Sequence, residues 1–362
     1  MAALIHLRLR LRRRSAGLWL AACAWVLPAA VGAAAPADPA PPPPGLEQRL
    51  EDLRQMAQDK GRAAVELAMR ERLEVQGLAA RATAADDGEG GGRAVDEHRP
   101  LNADGRVFVS NGSGSVVVSA WDKNEVAVSG DLGGGVERMD ISGDAASLRV
   151  VVRAARHAHL SGSVDLRLMV PAAAQVSVET VSADVAVHGT RGPVKVNSVS
   201  GDVGLAVDAP EVAAQTVSGD LILQGPSANT AANSVSGDLR MSGLQGRLVA
   251  ETVSGHIELA GGRFDELRLK SISGDMHLDL SFGEHATVVG ETLSGDISLQ
   301  VPHDVSGTAI LKSFSGEAQC SLAQATSSAS ARKHEREYSF GDGKGVNLSL
   351  STFSGDIHVE GK

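Results

Sequence analysis

The sequence predicts an all-β fold: a single-stranded parallel, right-handed β-helix (solenoid) with coils of 18–21 residues, preceded by a short α-helix. Three observations carry that expectation. The phrase Ser/Thr-x-Ser-Gly-Asp, with close variants, recurs with its central serine at Ser182, Ser200, Ser218, Ser236, Ser254, Ser273, Ser294, Ser315 and Ser354. Successive serines are 18 residues apart four times, then 19, 21, 21 and 39. That period is too short for helix-pair repeats, and the leucine-rich consensus is missing, which leaves one coil of a parallel β-helix as the repeating unit. After each phrase apolar residues alternate, as in Val203/Leu205, Leu221/Leu223, Leu239/Met241, Ile257/Leu259, Met276/Leu278, Ile297/Leu299 and Ile357/Val359. Alternation of this kind marks a strand with one buried face.

Residues 1–33 read as a signal peptide. Arg8, Arg10, Arg12, Arg13 and Arg14 precede an apolar run from Ala16 to Val31, which is short and alanine-rich for a membrane span. Small residues around Ala33 and Ala34 supply a cleavage zone. A rival reading is a lipobox, Leu20-Ala21-Ala22-Cys23, in which Cys23 is the candidate for lipidation. A third reading is an uncleaved anchor, and all three export the body of the chain. Losing the five leader arginines takes the formal charge from −10 to −15, which disfavours nucleic acid and anionic membrane surfaces as partners.

Residues 34–45 form a Pro-rich linker, stiff and solvated. Leu46, Leu50, Leu53 and Ala57 then repeat at helical spacing, which predicts an α-helix over 46–82. A Gly-rich linker covers 83–98. From 99 to 179, short β-branched runs such as Val107–Val109, Val116–Val118 and Val126–Val128 alternate with turn clusters, so this N-terminal region is expected to be all strand. The parallel β-helix repeats occupy 180–362. Their winding is expected to be right-handed from the general rule for crossovers between parallel strands. The track of inward residues includes Cys320, aligned with Leu299, which points to a buried, inert thiol.

The segment 107–130, VFVSNGSGSVVVSAWDKNEVAVSG, the Val170-Pro171 strand end, the repeated phrase and the closing STFSGDIHVEG resemble the bacterial "putative adhesin" family with β-strand repeats (domain of unknown function 4097). The resemblance covers about residues 100–362. It implies a right-handed β-helix on an exported envelope protein and, since the family has no established reaction, little about activity.

The repeated corner admits three chemistries. As a structural turn, its glycines (Gly201, Gly219, Gly237, Gly274, Gly295) supply positive φ, while the side chains of Ser200, Ser218, Ser236, Ser273, Ser294 and of Asp202, Asp220, Asp238, Asp275, Asp296 accept turn amides. As a cation site, stacked carboxylates, with Asp202, Asp220 and Asp238 as candidates, would recruit Ca²⁺; one acid per coil and the missing Gly-Gly-x-Gly-x-Asp pattern argue against it. As an active site, the corner lacks the local break that gathers several acids on one face. The structural turn is therefore the reading adopted, with no catalytic residue, no metal and no cofactor assigned. The expected role is a non-catalytic cell-envelope or surface module, adhesin-like or scaffold, with an unknown protein or polysaccharide partner. A polysaccharide-binding or polysaccharide-cleaving protein and an envelope-stress signalling accessory are the alternatives. Contact with membrane is expected only through the leader or a lipid anchor. The repeat breaks over 316–350, where function or an end cover is expected.

Overall fold

The computed structural model describes residues 93–132, 136–154, 163–322, 325–328 and 334–362. The leader, the Pro-rich linker and the α-helix at 46–82 lie outside the described residues. Among those described there is no helix; strands, turns and bends account for the fold, and 23 strands share one hydrogen-bonded network.

Two parallel ladders run through every repeat. One holds the strand that follows the corner: Val116, Val185, Val203, Leu221, Leu239, Ile257, Met276, Ile297, Ile357 and Ala318 are paired neighbour to neighbour. None of these side chains is more than 6% exposed. The other holds the strand before the corner, where Val178, Val196, Ala214, Ala232, Ala250 and Leu269 stack inward in the same way. A one-residue slip would turn each buried column out to solvent, so the 18-residue spacing and the alternation fix the register together. Each buried Val, Leu, Ile or Met in these columns stabilises the stack by about 1.5–3 kcal/mol.

Longer repeats keep both ladders in register by placing their extra residues elsewhere. The 19-residue repeat slips between Gly246 and Arg247, opposite Phe264 and Glu266, which leaves Asp265 as the added residue. In the next repeat Phe264 pairs with Phe282 but Glu266 with Thr287, so the additions fall after Phe282. The side chain of Phe264 is fully buried where these irregularities begin.

The stack does not follow chain order at its ends. Strand Val346–Ser354 pairs with Met276–Ser294 on one side and with Gly307–Ser315 on the other. Strand Ile357–Gly361 is likewise flanked by Ile297–Val301 and Ala318–Ser321. The last repeat in the sequence thus lies between the two before it. The N-terminal end has the same arrangement. Strand Arg106–Trp121 lies between Gln175–His188 and the pair Ser147–Ala154 and Val164–Pro171. Ser113-Gly114-Ser115 sits opposite Ser182-Ala183-Asp184, so the ladders extend N-terminal of residue 180.

Antiparallel strands close both ladders at the N-terminal end and, among the described residues, the ladder before the corner at the other end. Val136–Gly143 and Glu125–Leu132 cover one end, and Glu335–Phe340 covers Gly307–Ser315 at the other. Within the irregular segment, described residues 335–340 therefore act as an edge cover. A covering strand satisfies the backbone groups that a parallel edge would leave open to another chain. The strand Arg93–Pro100, outermost on Glu125–Leu132, carries Asp96, Glu97, His98, Arg99 and Pro100, a composition that discourages further pairing.

Candidate functional site

The repeated corner is held by hydrogen bonds between successive repeats. Each corner serine forms a parallel bridge to the next, from Ser200 through Ser218, Ser236, Ser254 and Ser273 to Ser294. The amide of Ser218 donates to the carbonyl of Val199 at 2.9 Å, and that of Gly201 donates to the Ser218 carbonyl at 3.2 Å. The amide of Val203 donates to the Asp220 carbonyl at 2.9 Å. The amide of the acidic residue itself is taken by the side chain at the same place in the neighbouring repeat, a carboxylate at every rung but that of His256. The amides of Asp202, Asp220, Asp238 and His256 donate to Oδ1 of Asp184, Asp202, Asp220 and Asp238 at 2.9–3.0 Å. The amides of Asp296, Asp356 and Glu317 donate to Oδ1 of Asp275, Asp296 and Asp356 at 2.9, 2.8 and 2.7 Å. An ionised acceptor makes each of these bonds a strong one.

His256 holds the rung where the motif departs from Asp. Its Nδ1 accepts the amide of Asp275 at 3.2 Å, a role that places the imidazole proton on Nε2. The histidine therefore preserves the ladder and marks no separate site.

The glycines are required twice over. Their φ angles in the corner, from +128° at Gly201 to +151° at Gly255, lie in the region that favours glycine. A Cβ at Gly219, Gly237, Gly255, Gly274, Gly295 or Gly355 would also overlap the carbonyl oxygen of the stacked glycine beside it. The serine side chains, by contrast, are exposed and donate none of the corner's hydrogen bonds. The Asp side chains accept turn amides as expected, whereas the expected acceptance by the Ser side chains is not seen. Asp reaches the next repeat, and Ser contributes through its backbone.

Electrostatics in the corner centre on Arg240. Its Nη1 donates to Asp220 Oδ2 at 2.8 Å and its Nη2 to Asp238 Oδ2 at 2.7 Å, so one guanidinium bridges two rungs. The carboxyl of Asp220 is held below its usual range, chiefly by the hydrogen bond from the Asp238 amide and then by that from Arg240. A depressed folded-state value means that the ionised carboxylate stabilises the fold above the unfolded value, about 3.9, and that this contribution is lost as pH falls through the folded value. Arg240→Met is expected to destabilise the protein at neutral pH and to lose that difference from wild type in acid. Urea denaturation at pH 7 and pH 3 checks it; the same difference at both values would contradict the assignment.

The Ser/Thr column that precedes the corner points inward. Thr180, Ser198, Thr216, Ser234, Thr252, Ser271, Thr292, Thr352 and Ser313 are all at most 5% exposed. Thr180 Oγ1 donates to Ser198 Oγ at 3.1 Å, and Thr352 and Ser313 donate to the carbonyls of Gly295 and Gly355 at 3.2 and 2.9 Å. The hydroxyls of Thr216, Ser234, Thr252 and Ser271 meet no protein acceptor. Parity across a turn gives no orientation, so only the structure assigns this column to the interior.

No group of three or more His, Cys, Asp or Glu among the described residues is placed to hold a metal ion, the acids Asp202, Asp220 and Asp238 included. Cys320 stands on the expected track, pairing with Val359, which pairs with Leu299. It is half-buried and not buried as expected, because its strand is paired on one side only among the described residues; burial still pushes its thiol up. An open cleft lies at another corner, lined by Asp208, Pro210, Pro226, Gln245, Arg263 and Asp265, away from the Ser-Gly-Asp ladder.

A family model described as Toastrack DUF4097 matches residues 106–360, from the first residue of strand Arg106–Trp121 into the last strand. The chain belongs to the Toastrack DUF4097 family. The family match thus spans both parallel ladders. Among curated proteins, nothing matches. Among solved structures, similarity extends to a protein called a "putative adhesin" from Bacteroides fragilis NCTC 9343, at 10% identity and a TM-score of 0.41, over 74% of this chain and 97% of that one. A "putative adhesin" from Parabacteroides distasonis ATCC 8503 gives 11% identity and 0.38 over 75% and 98%. A "putative lipid binding protein" from the same organism gives 10% and 0.36 over 75% and 98%.

The rung accounting sets the expected effect of substitutions in this Toastrack domain. Asp202→Ala removes the carboxylate that accepts the amide of Asp220 and is expected to cost about 0.5–1.5 kcal/mol, whereas Asp202→Asn keeps an oxygen in place and costs less than half of that. Chemical denaturation of the two variants checks the order; equal losses would contradict it.

Proposed function

We propose that the chain is a non-catalytic, exported module of the cell envelope or surface, adhesin-like or scaffold in role, and that its repeats wind as a right-handed solenoid. The observation that supports this best is the even commitment of the corner acids. One carboxylate oxygen per repeat, or the imidazole nitrogen of His256 at its rung, serves the neighbouring amide from Asp184 to Asp356, and the acids are spaced along a ladder instead of converging on one point. A general acid–base pair or a nucleophile needs convergence on a single reacting atom. An evenly repeated, outward face suits extended contact with a partner. Export is supported by the five arginines and apolar run that open the sequence. Right-handed winding is supported by the parallel pairing of successive repeats.

Cell fractionation with mass analysis of the mature N-terminus tests the reading. An envelope or extracellular chain beginning at Ala34 or Ala35, or a lipidated chain beginning at Cys23, is the expected result. A chain that stays in the cytoplasm with its leader intact would overturn it.

A further inference from the structure

Beside the acid ladder runs an apolar stripe on the outer side of the corner. The residue between the buried Ser/Thr and the exposed Ser of each repeat is, in spatial order, Val181, Val199, Val217, Val235, Val253, Ile272, Leu293, Phe353 and Phe314. All nine are half-buried, in a column that reaches the surface while the neighbouring Thr/Ser column does not. Side-chain size increases along it, from valine through isoleucine and leucine to phenylalanine. Phe353 stacks on Phe314 at 4.9 Å between ring centroids, and His334 stacks on Phe314 at 4.8 Å, which closes the aromatic end. At the other end Gly112 occupies the equivalent place opposite Val181. Eight steps of strand spacing make the stripe about 38 Å long.

Along one flank of this stripe lie the exposed corner serines and then the acids. Oδ1 of each Asp rung accepts an amide, which leaves Oδ2 facing outward. Among the described residues no cation pairs with Asp184, Asp202, Asp296 or Asp356. Arg240 shows what these oxygens accept: its guanidinium spans Oδ2 of two successive rungs. A flank of like charge also decides between occupants. A second copy of this face would set acid column against acid column, and an anionic lipid surface would be repelled.

We infer that the stripe and its acid flank are a docking surface for an amphipathic helix with one apolar face and a basic edge, laid along the stack. The inference rests on the partner-binding reading above and names the chemistry of the partner. A helix that covers about 38 Å has roughly 25 residues. Its apolar side chains lie over the Val-to-Phe column, and its Lys or Arg heads reach Oδ2 of the rungs that Arg240 leaves open. The widening of the stripe gives the site a direction, with smaller helix side chains set against the phenylalanines.

The test uses a dye-labelled synthetic helix of 25 residues with a leucine stripe and a Lys/Arg edge, and a second with a Glu edge, titrated by anisotropy into the full mature chain. Two variants separate the terms. Asp184→Asn with Asp202→Asn, Asp296→Asn and Asp356→Asn removes charge but keeps each amide acceptor. Val217→Thr with Val235→Thr and Val253→Thr keeps shape but makes the stripe polar. Thermal midpoints near wild type establish that both variants are folded. Binding of the basic probe alone, weakened about tenfold or more in each variant, is the expected result. Loss in the asparagine variant with none in the threonine variant would reduce the surface to diffuse charge and overturn the proposal. Equal binding of the Glu-edged probe, or adsorption to phosphatidylglycerol vesicles with no affinity for the basic probe, would also overturn it. A chain that is exported as expected but does not bind the probe would sink this inference and leave the envelope reading standing.

Discussion

Deleting residues 346–362 will open the stack internally and not merely shorten it by one repeat. Strands Val346–Ser354 and Ile357–Gly361 are hydrogen-bonded on both sides, so their removal strips partners from Met276–Ser294 and Ile297–Val301 and also from Gly307–Ser315 and Ala318–Ser321. Leu348, Leu350, Ile357 and Val359 leave the core with them, all at most 2% exposed. Those four side chains alone contribute roughly 6–12 kcal/mol of burial, comparable to the whole net stability of an ordinary domain. The expected outcome is an aggregating protein, or one in which hydrogen exchange over 276–301 and 307–321 loses protection together. A deletion variant that keeps its thermal midpoint and its protection over 276–301 would show that the last repeat is peripheral.

Gly237→Ala should be among the most damaging small substitutions in the protein. The new methyl group faces the Gly219 carbonyl, itself fixed between stacked repeats, and φ at this position is +136°. Backbone strain and overlap together are expected to cost roughly 3–5 kcal/mol. Gly112→Ala is the control. A Cβ there meets nothing within 4 Å, and the change should fall within about 0.5 kcal/mol of wild type. Urea denaturation of both variants checks the contrast; a loss at Gly237 no larger than at Gly112 would contradict the stacked-glycine geometry.

Much of this architecture is legible because period and parity are local properties of the chain. The 18-residue spacing predicts parallel stacking, and alternation from Val203/Leu205 to Ile357/Val359 predicts which strand face is buried. The neighbour of a repeat is not a local property. Ser315 and Ser354 stand in nearly identical phrases, SFSG and TFSG, so either repeat could follow Ser294. The spacing of 39 residues signals that something intervenes, but the choice is made by long-range pairing and by Phe314 stacking on Phe353. The N-terminal repeat was hidden for a related reason. Ser115 replaces the acid in Ser113-Gly114-Ser115, and 69 residues separate Ser113 from Ser182, which faces it. The Asp column is readable as a turn element, yet its hydrogen bond closes across 18 residues of sequence, not within the turn. That link follows from counting the corner amides, which requires the backbone path.

The central claim is that the acid of the Ser-Gly-Asp phrase is a rung of the architecture. Amide hydrogen exchange at Asp220 tests it most directly, compared among wild type, Asp202→Asn and Asp202→Ala. The amide of Asp220 donates to Oδ1 of Asp202 at 2.9 Å, so protection there should persist in the asparagine variant and collapse in the alanine variant. Protection at Asp220 that survives Asp202→Ala in a folded protein would contradict the claim.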